Sequence, residues 1–353
     1  MAGKSLNILI TGITGFVGGY LARALARGEE GGGPEAPNVV GTSFPQAPPA
    51  SSGNIFYLDL RVEGDVRDLV RRVRPEWVFH LAAVSNVRSS WQARRDTLET
   101  NVLGTHNLLE AVRLEAPRAR ILFVSSSDVY GVAAEGDAPL AEDRSFRVTN
   151  PYAYSKAAGE MMCGFYERIE GLDIVIARPF PHTGPGQAPD FVCADWARQV
   201  VRIERGESEP VLRVGNLDVR RDFSDVRDVV EAYVALMRKG RRGEVYNVCS
   251  GKALALREIL DFLVGEAGAG AAAGTQAASP GTRVAGAAQT PAIRIEVDPA
   301  KLRKTDVPLL IGDNRKIVAE TGWSPRIPIA QTLRDLLSGV RSQLLTFLSK
   351  VET

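Results

Sequence analysis

The chain has 353 residues, enough for two domains or one large core. Its 44% hydrophobic and 24% charged residues match an ordinary globular protein, and a net charge of +1 gives no electrostatic reason to expect nucleic acid or an anionic membrane as partner. Three scattered cysteines make no disulfide framework, three histidines argue against a histidine-rich metal site, and the short, glycine-interrupted start "MAGKSLNILITG" reads as neither signal peptide nor membrane span, so the expected location is the cytoplasm.

The first element is a buried strand, "LNILITG" (6–12), followed by an amphipathic helix, "FVGGYLARALARG" (16–28). Between them Gly12, Gly15 and Gly18 stand in G-x-x-G-x-x-G spacing, with Thr14, Phe16 and Val17 in the same turn. The first glycine allows a tight turn, the second lets backbone approach a pyrophosphate, and the third lets helix and strand pack closely. The helix N-terminus adds free N–H groups and the positive end of its dipole. In this strand–turn–helix context the spacing points to a dinucleotide. "GEEGGGPEAP" (28–37) is a loop.

The second strand, "NVVGTS" (38–43), ends without the acid that selects NAD and with no arginine nearby. Thr42 and Ser43 are left to meet a 2′-phosphate or a 2′-hydroxyl. The missing carboxylate tilts the expectation to NADP(H), with NAD(H) as the alternative. The third strand, "NIFYLDL" (54–60), ends at Asp59 and Leu60. Asp59 either accepts from the adenine amino group or is a plain strand-end turn residue.

A helix "DVRDLVRRV" (65–73), a strand "WVFHLAA" (77–83), a helix "TNVLGTHNLLEAVRLE" (100–115) and a strand "RILFVSS" (120–126) follow. This alternation predicts an α/β fold, a Rossmann-type doubly wound parallel sheet. After "DIVIARPF" (173–180) the pattern loosens into mixed strands, helices and Pro/Gly-rich loops, as in a smaller substrate-covering α/β lobe. The expected division is 1–179 with 216–250 for the dinucleotide domain, and 180–215 with 251–353 for the substrate domain. "GEAGAGAAAGTQAASPGTRVAGAAQTP" (265–291) holds too few bulky residues to offset its ordering entropy, so a mobile insertion is expected, with an Ala-rich helix inside it as the alternative.

Two further stretches carry chemistry. "VSSSDVYG" (124–131) places three serines at the end of an apolar strand. "NPYAYSKAAGE" (150–160) holds Tyr152 and Lys156 four apart, on one helical face, with Pro151 suited to the first turn and Tyr154 facing elsewhere. A free tyrosine titrates near ~10 and is a poor acid–base group at neutrality; a nearby ammonium and an oxidised nicotinamide would lower that value.

In this combination the chain resembles the extended short-chain dehydrogenase/reductase family, whose members are NAD(P)-dependent oxidoreductases. The matching stretches are "TGITGFVG" (11–18), "DL" (59–60), "HLAA" (80–83), the asparagine of "NVLGT" (101), "SSSDVYG" (125–131), "YAYSK" (152–156) and "RP" (178–179). The resemblance implies that Tyr152 is the acid/base, Lys156 orients the nicotinamide ribose and Ser126 holds the substrate oxygen. It also implies cofactor contacts at Leu81, Ala82, Ala83, Asn101, Ser125, Phe180 and His182. A homodimer built on a four-helix interface is expected, with a tetramer as the larger alternative.

The second half is similar to the nucleotide-sugar branch of that family, in its members that act on GDP-sugars. The similar stretches are "RPFPHTGPGQAPDFV" (178–192), "VGNLDVRRDFSDVRD" (214–228), "VYNVCSG" (245–251) and "LRKTDVPLLIGDNRKIVAETGW" (302–323). This implies reduction of the C4 keto group of a GDP-4-keto-6-deoxymannose to GDP-6-deoxymannose (GDP-rhamnose) or its C4 epimer. A GDP-mannose 4,6-dehydratase and a 4-epimerase share the early motifs and are the rivals. Arginine forks match diphosphate oxygens, which selects Arg221 in "RRDF" and Arg303 in "LRKTD". Asp306 would take the ribose hydroxyls, and Ser85, Ser127 and Val192 complete the expected substrate wall. Pro181 stands where related enzymes carry asparagine. Asp128 stands where a dehydratase carries its glutamate base, one methylene shorter. A dinucleotide-binding sensor without turnover would lack the tyrosine or the lysine; both are present.

Overall fold

The computed structural model describes residues 5–27, 36–44, 54–132, 136, 138–273, 293–302 and 306–351. Strand β1 (Asn7–Thr11) leads into α1 (Phe16–Ala26), β2 (Asn38–Ser43), β3 (Ile55–Tyr57), α2 (Glu63–Val73) and β4 (Trp77–His80). Two short helices, α3 (Val87–Gln92) and α4 (Arg94–Leu98), pass through one wide turn at Glu99–Leu103 into α5 (Gly104–Glu115) and β5 (Arg120–Val124). Then come α6 (Pro151–Arg168), β6 (Asp173–Pro179), β7 (His182–Thr183), α7 (Val192–Glu204), β8 (Val211–Val214), β9 (Arg220–Asp222), β10 (Ser224–Asp225) and α8 (Val226–Lys239). The remaining elements are β11 (Val245–Val248), β12 (Ala253–Ala255), α9 (Leu256–Ala273), β13 (Arg294–Val297), β14 (Leu309–Leu310), α10 (Arg315–Thr321) and α11 (Ile329–Val351).

The expected doubly wound sheet is present: seven parallel strands in the order β11-β6-β5-β4-β1-β2-β3. The apolar runs of these strands are explained by burial on both faces. On one face β1, β5 and β6 pack with α1 and α8 through Leu21, Leu25, Val229, Tyr233 and Leu236. On the other, Val66, Leu69, Val70 and Val73 of α2 meet Leu108 and Val112 of α5 and Cys163 and Tyr166 of α6. The strand order reverses between β1 and β4, where Thr11 pairs with His80; in such sheets the ligand crevice opens at the carboxyl ends of the strands at this switch.

A separate core gathers α7, β8, α9 and α11 around Trp196, Leu212, Leu260 and Leu336. Here one expectation changes. Residues 265–273 are not an insertion loop but the last turns of α9. Leu256, Ile259, Leu260, Leu263 and Ala267 form a buried stripe at helical spacing, and the alanines that follow have the highest helix propensity. The rest of that expected insertion lies outside the described residues. Among the described residues no helix is long and apolar enough to cross a membrane, and no His/Cys/Asp/Glu cluster is arranged to hold a metal ion.

Candidate active site

The glycine turn closes on backbone alone. Gly12 has φ +75, and a Cβ there would stand 3.0 Å from the Ala82 backbone, so only glycine fits without strain. A Cβ on Gly18 would stand 2.3 Å from the Gly12 carbonyl oxygen. Gly12 and Ile13 donate their N–H groups to the Thr42 carbonyl at 3.1 and 3.0 Å. Helix α1 starts at Gly15 with no side-chain cap and no acid in its first turn. Uncapped N–H groups, a positive dipole end and a cradle that a Cβ would fill fit a nicotinamide dinucleotide's pyrophosphate.

At the adenosine end the structure adds partners that the sequence did not show. The Thr42 hydroxyl does not face a ribose; it is buried and accepts the Gly12 N–H at 3.3 Å, because this residue of β2 points into the turn. Ser43 remains exposed, with its hydroxyl 2.8 Å from that of Thr14. An arginine does come near: Arg61, from beyond β3, lies 5.9 Å from the Phe44 ring next to Ser43. Its guanidinium also clasps Asp59, with Nε 2.8 Å from one carboxylate oxygen and 3.0 Å from the other. Arg61 holds the Asp59 carboxyl below its usual range, so that group is a salt-bridged acid.

On the nicotinamide side, Asn150 caps α6 by accepting the Ala153 N–H at 2.8 Å, and Pro151 occupies the first turn. This fixes Tyr152 and Lys156 on the buried face while Tyr154 is exposed. The Ser126 side chain lies beside the Tyr152 hydroxyl and favours its ionised form. Ser126 also accepts the Asp128 N–H at 3.1 Å, closing the turn after β5. The Lys156 ammonium donates to the Val124 carbonyl at 2.7 Å and lies 6.0 Å from the Tyr152 ring. Ser126, Tyr152, Lys156 and Asp128 are therefore one cluster.

Its electrostatics depart from expectation. Burial pushes the Tyr152 phenol well above its ordinary value, and the Asp128 charge works in the same direction; only the Ser126 side chain opposes them. The Lys156 ammonium is not among the groups that move it. Burial likewise lowers Lys156 to about 8, partly offset by Cys163 and Glu160.

Beneath the cluster lies a buried ion pair. Arg178 and Glu160 meet at 2.7 Å, each side chain 4% exposed. The Ser125 hydroxyl donates to Glu160, so this serine, expected at the cofactor, is tied into the pair. Arg178 also donates to the Tyr130 hydroxyl at 3.0 Å. Glu160 was legible as the next i+4 step after Lys156. Phe180 too is a core residue, fully buried beside Val129 and Cys249, leaving only its backbone for a ligand. The His182 ring lies parallel to that of Phe16 at 6.4 Å and bonds the Phe180 carbonyl.

Asn101 sits in the wide turn before α5. Its amide bonds both backbone groups of Val84 and donates to Ser155 at 2.8 Å. Leu81, Ala82 and Ala83 line the loop after β4, and Ser85 is exposed beyond them. Leu60 and Ser127 are buried. Among the expected substrate residues, Arg221 is buried and donates to the Val307 carbonyl. Asp306 accepts from Asn216 at 3.0 Å, a partner not foreseen. The Pro181 carbonyl accepts the Ser224 N–H, and Val192 opens α7 against the second core. Arg303 lies outside the described residues.

Fold and cluster together define an NAD(P)-dependent short-chain dehydrogenase/reductase of the extended type. The GDP-mannose 4,6 dehydratase family model matches residues 9–336, and the chain belongs to that family. It is 35% identical to a GDP-6-deoxy-D-mannose reductase of Pseudomonas aeruginosa, over 96% of this chain and 98% of that one. It is 28% identical to a GDP-mannose 4,6-dehydratase of Yersinia enterocolitica, over 94% and 92%. Among solved structures it resembles RMD from Pseudomonas aeruginosa complexed with NADPH, with TM-score 0.77, 34% identity, and 96% and 100% of the two chains covered.

Proposed function

We propose that the protein reduces the C4 keto group of GDP-4-keto-6-deoxy-D-mannose with NAD(P)H, giving GDP-6-deoxy-D-mannose or its C4 epimer. The observation that carries this is the higher identity to a reductase than to a dehydratase, over nearly the whole of both chains. The bound nicotinamide supplies the hydride. Ser126 and Tyr152 hold the C4 oxygen between two hydroxyls, and Tyr152 gives its proton to that oxygen as charge develops. A phenol kept protonated by burial suits reduction, which needs a proton donor. Lys156 holds the nicotinamide ribose and supplies positive charge below the tyrosine. Asp128 orients the sugar. NADPH is the favoured cofactor: no acid ends β2, and Arg61 stands within reach of that edge.

The dehydratase reading draws on one feature, the carboxylate of Asp128 beside Tyr152. The test separates the two. Purified protein is incubated with NADPH and GDP-mannose, with and without a separate dehydratase. NADPH consumption only when the dehydratase is present supports the reductase; conversion of GDP-mannose by this protein alone overturns it.

The same reading includes a cytoplasmic homodimer. Met161 and Phe165 of α6, Ile169 just past its end, Leu114 of α5 and Leu103 in the turn before it are exposed large apolar side chains on neighbouring elements. A second copy covering them would form a four-helix contact. Light scattering at micromolar concentration tests this, and a monomer would refute it.

A further inference from the structure

One buried group plays no part in that chemistry. The His80 ring, at the end of β4, lies between two threonines: Nδ1 is 2.7 Å from the Thr11 hydroxyl and Nε2 is 2.8 Å from that of Thr105. Counting hydrogens fixes every donor. Thr105 has one hydroxyl hydrogen, and it goes to the Asn101 carbonyl at 2.6 Å. Its oxygen can then only accept from His80, so Nε2 carries the ring hydrogen. Burial and the Lys156 charge lower the ring to about 3, so it is neutral and Nδ1 accepts from Thr11. The Thr11 oxygen in turn accepts the Ala82 N–H at 3.2 Å.

The chain of bonds continues at both ends. Thr11 directly precedes Gly12, and Ala82 is the backbone against which Gly12 closes. Asn101 donates to Ser155, and Ser155 donates to the Tyr152 carbonyl at 2.7 Å. We propose that His80 is a positioning residue which, as the neutral Nε2–H tautomer, ties the cofactor turn to the helix that carries Tyr152. One imidazole sets the spacing between the pyrophosphate cradle and the proton donor. A second ring hydrogen would displace the Thr11 hydrogen from its acceptor, so the arrangement holds in one protonation state only.

Complementary variants test this, because an asparagine amide overlays Nδ1 and a glutamine amide overlays Nε2. His80→Asn keeps the Thr11 bond and loses Thr105; it should lower kcat about tenfold and reduce NADPH affinity by less. His80→Gln keeps Thr105 and loses Thr11; it should weaken NADPH binding about tenfold and lower kcat by less. Thr105→Val should repeat the loss seen in His80→Asn, and the double variant should be no worse than either. Nitrogen NMR of the full-length protein, with His80 assigned from its variants, should show the hydrogen on Nε2 at pH 7. Equal losses of kcat and affinity in both variants, multiplying effects in the double variant, or a hydrogen on Nδ1 would overturn the proposal. Only the kcat arm rests on the reductase reading. A wild-type protein inactive on the 4-keto sugar refutes that reading, while NADPH affinity and the nitrogen spectrum still decide the tie.

Discussion

Replacing Gly18 with alanine probes how the cofactor turn is held. The new Cβ would stand 2.3 Å from the Gly12 oxygen and 2.8 Å from the Ile13 Cα, both backbone atoms that cannot swing aside. Ordinary contact needs about 3.5 Å, so α1 must withdraw from the turn by roughly 1 Å. A pyrophosphate would then lose about two charge-assisted hydrogen bonds to the helix N-terminus, at about 1.5–3 kcal/mol each. That sum corresponds to a rise in NADPH Kd of about 10²–10⁴-fold. The neighbouring Gly19 is the control. A Cβ there meets the Arg23 guanidinium at 3.5 Å and the Ile13 carbonyl oxygen at 4.0 Å, both ordinary contact distances. Gly19→Ala should bind cofactor normally and gain about 1 kcal/mol of helix propensity. At about 2.1 cal/mol/K per residue of unfolding entropy, that gain raises Tm by roughly 1–1.5 °C. Fluorescence titration with NADPH and thermal unfolding measure both. Gly18→Ala binding NADPH within about threefold of wild type, or Gly19→Ala weakening it equally, would refute the close-packing argument.

Three more outcomes follow from the site. Tyr152→Phe should lower turnover by about 10²–10⁴ while NADPH affinity is retained; substantial activity would remove the tyrosine from the proton step. Lys156 is charged below about 8 and neutral above it, so kcat should fall as pH rises through that value; a profile flat to pH 10 would show that the charge is not needed. Glu160→Gln leaves Arg178 buried without its counter-charge and should cost about 3–5 kcal/mol, or roughly 4–7 °C in Tm. Replacing both partners with methionine should cost less than this single change, and the reverse order would refute the unpaired-charge explanation.

Most of the sheet was legible because each strand is a short apolar run punctuated by glycine or a polar turn, and α2 shows its buried stripe plainly. The expected Rossmann-type sheet and the pairing of Ser126 with Tyr152 needed only local spacing and motif context. What was not legible depends on contacts between distant segments. The Thr42 hydroxyl turns inward because Gly12 offers it an N–H. Arg61 reaches the edge of β2 from the end of another strand, so no local reading of "GTSFPQ" finds it. The direction of the Tyr152 shift was missed because burial cannot be read from a tyrosine four residues before a lysine. The helical start of 265–291 was masked by composition: alanine is as common in loops of low complexity as in helices, and the stripe that decides the matter begins before the Ala-rich tract.

Helix α6 faces two ways. Tyr152, Lys156 and Glu160 run along its inner side, and Met161 and Phe165, one and five residues after Glu160, stand on its outer side. On the dimer reading, the surface that joins two copies is the back of the element that aligns the proton donor. Subunit concentration then becomes a kinetic variable: dilution that separates the copies loosens the catalytic helix, and specific activity falls with it.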